Sequence, residues 1–512
     1  MAEILWIGNG SNTAWHTPTN WQGGVVPDIN DTAVFTNTGT GNCTLANNAT
    51  IGGLKVFGNY AGDFRFNGNS LTVSNDVLLQ ATVTDTPIIN AAGTADQEFD
   101  IGDNTVDFAA YKNAGLLLIR SGDYKLVEDS YCGEWICHSP HFDPNGKTFT
   151  VGNHGVGRYY QIANYQVTTP YNGTIRLDCD DVYIANASTS MNTRFVYEIY
   201  GSQCVLKQKT VTGIRKLIVK SGGRLCYQPG THPFDVSMTS YSALRSNGYG
   251  ITIEQGGVLD VTYANVQCQD SAGEAEFVNN GEVVNTGLAL RTVTLDQQNA
   301  IHAGIMTGNI HLIMGLQSNN APVSGDLRDI AHVEIKQTTS RSGVVIDGEI
   351  LLPDTRLTTC GPNNPVTGTI TCYGNLNVAE NWDLSGLQIT PAGDGDQTLD
   401  IGLSTVGLVV NKLAGKVIFQ GGNFILNDHS YFPDNLFFTE TYTGVFRQNG
   451  KTMTIASKNL HMTETDLEKW EMSGSIVFVG DDFVLKNAVL PDDCHLIFSP
   501  SSTVSSCKQE FL

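Results

Sequence analysis

At 512 residues the chain could hold two to four globular domains, or one repeat array that lengthens without closing a core. Its 29 Lys and Arg stand against 51 Asp and Glu, a net charge of −22 that repels phosphate backbones and anionic bilayers and excludes nucleic-acid binding as a working class. Gly contributes 54 residues and charged residues only 16%, short alternating runs dominate, and no 18-residue apolar stretch exists for membrane insertion, so the composition points to an all-β chain.

Residues 1–40 carry Trp6, Trp15, Asn20-Trp21, Gly23-Gly24, Pro27, Asp31, Ala33 and Phe35. Three tryptophans among Gly, Asn and Pro do not make a helix, yet each can bury a large apolar area. They are expected to form an N-terminal cap that plugs the open end of a strand stack. The competing reading makes Trp6, Trp15 and Trp21 an exposed platform on which sugar rings stack. The W…W…NW..GG..P…D.A.F pattern resembles the entry segment of bacterial surface β-solenoids, including those with autotransporter-associated β-strand repeats. The texture of the remaining chain is similar to pectin-lyase-like right-handed parallel β-helices. That resemblance implies a solenoid fold and, commonly, a homotrimer.

Residues 41–165 read as β-helix rungs, with Ala49-Thr-Ile-Gly-Gly-Leu-Lys-Val-Phe-Gly, then Leu71-Thr-Val, then a long internal repeat. Residues 89–131 align with 389–431 at a constant offset of 300, and 17 of 43 positions are identical. Gly93/Gly393, Gly102/Gly402, Gly115/Gly415 and Gly122/Gly422 punctuate both copies. After a four-residue insertion the match resumes as Asn145-Gly146-Lys147-Thr148 against Asn449-Gly450-Lys451-Thr452, and Asn67-Gly68-Asn69-Ser70 is a third form. Each reads as a turn followed by a period-two strand. Equivalent copies should fold alike, with Ile101 and Ile401 both pointing inward. Roughly twenty residues per coil is the expected spacing.

Residues 166–386 keep strand-like runs such as Lys216-Leu-Ile-Val-Lys and Ile310-His-Leu-Ile-Met, but long intervening segments such as 227–249 read as lateral loops, the natural places for partner contacts. Residues 387–456 hold the second copy. Residues 457–512 form a C-terminal cap or assembly region, with a helical turn expected from Thr463 to Glu471 and strands at Ser475-Ile-Val-Phe-Val and His495-Leu-Ile-Phe.

The eleven cysteines are odd in number and irregularly spaced, which favours free thiols. Cys132-x4-Cys137-His138-x2-His141 offers four zinc-type ligands, but adjacent Cys137 and His138 would point to opposite sides of a strand. The second copy has Phe432, Phe437, Phe438 and Thr441 at those positions, so no metal site is expected there. Asp178 and Asp180 would share one strand face as a carboxylate pair, the arrangement that glycan-cleaving enzymes use. Asp181, Asp481-Asp482 and Asp492-Asp493 complete the acidic clusters; they read as solvated turns, with calcium ligation as the alternative. No phosphate loop, HExxH or GxSxG occurs, and no cofactor is expected. Sequons such as Asn48-Ala49-Thr50 and Asn186-Ala187-Ser188 read as turns, because the start shows no basic and apolar leader for export.

The expected fold is all-β: a right-handed parallel β-helix or close β-solenoid relative, with an N-terminal cap and lateral loops; a string of antiparallel β-sandwiches is the alternative. A surface-solenoid sequence without an export leader suggests a non-enzymatic structural or adhesive virion protein of a tailed phage, a spike, fibre or capsid decoration assembled in the host cytoplasm. It would be a homo-oligomer touching other virion proteins and, at its surface, host polysaccharide. A bacterial surface adhesin, a polysaccharide depolymerase and a lattice-forming surface-layer protein are the other classes.

Overall fold

The computed structural model describes residues 2–80, 88–101, 116–137, 141–152, 158–161, 173–179, 181–184, 195–206, 210–211, 216–227, 234–240, 249–270, 275–297, 299–316, 321–337, 344–358, 365–378, 383–401, 415–419, 421–427, 429–432, 436–438, 442–455, 459–463, 468–480, 482–486, 490–498 and 506–510. The chain forms two compact units, Met1–Ala264 and Asn265–Leu512. Each is a parallel β-solenoid, in which a strand pairs with its counterpart one coil on, about 4.8 Å away. Among the described strands the ladders are parallel, so the β-sandwich alternative falls. The antiparallel contact is an isolated bridge between Trp6 and Trp21.

In the first unit one ladder runs through Ser130–Cys132, Thr148–Gly152, Gly173–Asp178, Phe195–Ile199, Lys216–Val219 and Tyr249–Ile253. Its register stacks like on like. Phe149, Ile175, Tyr197, Leu217 and Ile251 form one buried column, and Val151, Leu177, Ile199, Val219 and Ile253 form the next. Alternation along each strand sends every second side chain inward, so one coil's aliphatic face lies on the next and a core grows without a globular centre. The second unit repeats the device: Val293, Leu312, Val333 and Thr355 make one buried column, and Leu295, Met314 and Ile335 another.

The internal repeat is structural in detail. Asp96 and Gln97 pair with Asp123 and Tyr124, and Asp396 and Gln397 pair with Asn423 and Phe424 at the same offset of 300. Gln97 and Gln397 are buried and each donates its side-chain amide to the previous coil, to the carbonyls of Ser74 and Tyr373. A Cβ on Gly93 or Gly393 would overlap that amide, which is why both copies keep glycine there. Asn145 and Asn449 both sit at φ 52°, each followed by a left-handed glycine, and their amides reach Leu126 O (3.0 Å) and Leu426 O (3.2 Å). Asp129 Oδ1 accepts from Thr148 N at 2.8 Å; in the second copy His429 Nδ1 accepts from Thr452 N at the same distance. The side chains of Ile101 and Ile401 lie outside those described.

The helical turn expected from Thr463 to Glu471 is present at Glu468 and is corrected at both ends. Thr463 closes the strand Asn459–Thr463, and Trp470–Glu471 is a strand paired with Phe446–Arg447, because the Trp470 ring packs on Phe446 at 5.7 Å. Residues 464–467 lie outside those described.

Candidate functional site

The strand Ala2–Leu5 pairs with Asp31–Phe35, and the segment between them folds over the first coil. Asn20 holds it: buried, it accepts from Gly10 N at 2.6 Å and donates to Asn12 O and Ala14 O. The neighbouring Trp21 is thereby turned inward to meet Trp6 at 5.0 Å and Trp15 at 4.8 Å, both edge to face. Phe35 and Phe64 continue the cluster. Trp6, Trp15 and Trp21 are 0%, 0% and 1% exposed, and the Trp6 and Trp21 indole N–H groups donate to Gly41 O and Trp15 O. Rings so enclosed have no face to offer a sugar.

Asp178 ends the strand Gly173–Asp178 and is 6% exposed. Asp181 begins the next strand, Asp181–Ile184, so a corner separates them. Asp180 lies outside the described residues, as does Asp481. At this corner Asp178 faces Gly152, whose carbonyl accepts the Tyr131 hydroxyl at 2.5 Å. Burial first, then Cys132 and the Asp178 charge, push the Tyr131 phenol well up, so it keeps its proton and serves as a donor. Asp492 and Asp493 are exposed in a turn closed by Cys494 N to Pro491 O, as the turn reading expects.

Cys132 is a core thiol at the position where the second copy places buried Phe432. The side chains of Cys137 and His141, and all of His138, lie outside those described. Cys43, Cys132, Cys179, Cys204, Cys226, Cys372 and Cys494 are free thiols. Cys204 Sγ donates to Cys179 O at 2.7 Å and Cys226 Sγ to Cys204 O at 3.4 Å, so each thiol bonds the preceding coil. Burial pushes half-buried Cys226 up to about 11, away from the range of a nucleophilic thiolate. Alkylation of Cys226 in the native chain should therefore be slow at pH 8 and rise as pH approaches 11. Rapid labelling at neutral pH, read by peptide mass, would show a reactive thiol instead.

The outer face carries pairs that sequence reading missed. Arg176 meets Glu198 at 2.8 Å and Lys220 meets Glu254 at 2.5 Å, with the Tyr200 ring beside both cations at 5.8 and 5.9 Å. Arg224 pairs with Asp260 at 2.5 Å, and Arg447 with Glu471 at 3.0 Å. Each pair links neighbouring coils. Such half-exposed pairs contribute about 0–1 kcal/mol apiece, and they fix the register of polar faces that burial does not. Compared with models of protein families, with curated proteins and with solved structures, the chain matches none.

Proposed function

We propose that this chain is a structural and adhesive solenoid, most specifically a virion component of a tailed phage: a spike, fibre or capsid decoration acting as a homo-oligomer, with a trimer as the expected state. The observation that carries the reading is where the chemistry-bearing side chains go. The tryptophans are enclosed over the first coil, the described thiols bond to backbone or lie in the core, and the pairs Arg176–Glu198, Lys220–Glu254 and Arg224–Asp260 join coil to coil. A scaffold spends its ionisable groups in this way, whereas a catalyst gathers them with shifted pKa values in one groove. Contacts to other virion proteins and to host-surface polysaccharide would fall to the lateral segments.

Immunogold electron microscopy of purified particles with an antibody to this chain tests the proposal, alongside light scattering of the isolated protein. Regular labelling of the particle and a mass of three chains are expected. Label confined to bacterial cell walls would favour an adhesin. Release of reducing or unsaturated sugar ends from host polysaccharide would make it a depolymerase.

A further inference from the structure

The strand Ile305–Leu316 pairs with Ile330–Gln337 so that His311 lies directly opposite His332 and Ile313 opposite Glu334. Leu312, Met314, Val333 and Ile335 fill the core between them, so alternation puts His311, His332 and Glu334 together on the outer face. His311 and Glu334 are half-buried and His332 is exposed. The two imidazoles stand 6.0 Å apart, edge to face, and His311 Nε2 is 3.6 Å from Glu334 Oε2. One coil on, Asp354 is in backbone register with His332.

We propose that His311, His332 and Glu334 form a binding site for a borderline transition-metal dication of the Zn²⁺ or Ni²⁺ kind. Imidazole nitrogen and carboxylate oxygen are the ligands such ions take, at about 2.0–2.2 Å. Two ligand atoms at those lengths and a tetrahedral angle stand roughly 3.4 Å apart. The His311–Glu334 separation of 3.6 Å is already close to that. As they stand, no three such groups converge among the described residues. Bringing in His332 requires its exposed ring to turn about side-chain torsions, of which the terminal one is broad, and to give up the contact it makes at rest. The net charge of −22 enriches cations around the whole chain. A bare His–Glu ion pair is the competing account, and it binds no metal.

Isothermal titration of the untagged full chain with NiCl₂ decides between them. Saturable binding is expected, with His332→Ala and His311→Ala each weakening it at least about tenfold, since even outer-shell partners of a metal are worth roughly 10–100-fold. An excess of Mg²⁺ should leave the binding unchanged, because that ion prefers all-oxygen sites. No binding by the native chain, equal binding by His332→Ala, or displacement by Mg²⁺ would each overturn the proposal. His332 is exposed, so its variant is expected to keep the native circular dichroism and melting curve; should His311→Ala misfold, His332→Ala carries the test alone.

Discussion

Replacing Trp15 or Trp21 by alanine is expected to destabilise the N-terminal end by roughly 3–5 kcal/mol each, among the largest effects of any single side chain here. Both rings are fully enclosed, each touches the other and Phe35, and the Trp21 indole also donates to Trp15 O at 2.6 Å. Truncation removes the transfer free energy of the ring and leaves a void that neighbouring aromatics cannot close without losing their own edge-to-face contacts. Because coils are stabilised mainly by their neighbours, the loss should appear first as local opening. Amide exchange in Asp31–Phe35 and Gly53–Val56 should quicken before global unfolding. Trp→Phe should recover part of the loss. Unchanged exchange and an unchanged melting curve in Trp15→Ala would mean that the plug is an ornament and that the stack closes by other means.

The buried tryptophan cluster and the long repeat were legible in the sequence because their determinants are local. Asn67-Gly68, Asn145-Gly146 and Asn449-Gly450 each take the left-handed turn that such a pair favours, and three tryptophans within sixteen residues announce a buried cluster. The outer-face pairs were not legible, because they depend on coil length, which varies. Ser130 meets Phe149, 19 residues on, whereas Leu217 meets Ile251, 34 residues on. Without that register Arg176 and Glu198, or His311 and His332, are merely residues 22 and 21 apart. The thiols illustrate the intermediate case. Their odd number and scatter suggest free cysteines, and the seven whose side chains are described are free, but only the fold shows Cys204 and Cys226 spending their S–H groups on the coil before them.

The acidic corner yields the second large expectation, and it separates scaffold from catalyst. Gly152 adopts φ 114°, a conformation L side chains rarely take, and a Cβ there would stand 2.3 Å from Asp178 O and 2.7 Å from Cys179 N. Those are backbone atoms of the next coil, so nothing swings aside. Gly152→Ala therefore combines backbone strain of about 1–3 kcal/mol with overpacking of similar size, a loss of roughly 2–6 kcal/mol measurable by denaturant unfolding. Asp178→Asn combined with Asp180→Asn changes charge while nearly conserving shape. If the corner exists to turn the chain, the double variant should assemble normally and leave any glycan turnover as it was, while Gly152→Ala fails to assemble. A folded double variant that loses sugar cleavage would reverse the reading, since the buried Asp178 carboxylate would then be a working group and the glycine corner only its support.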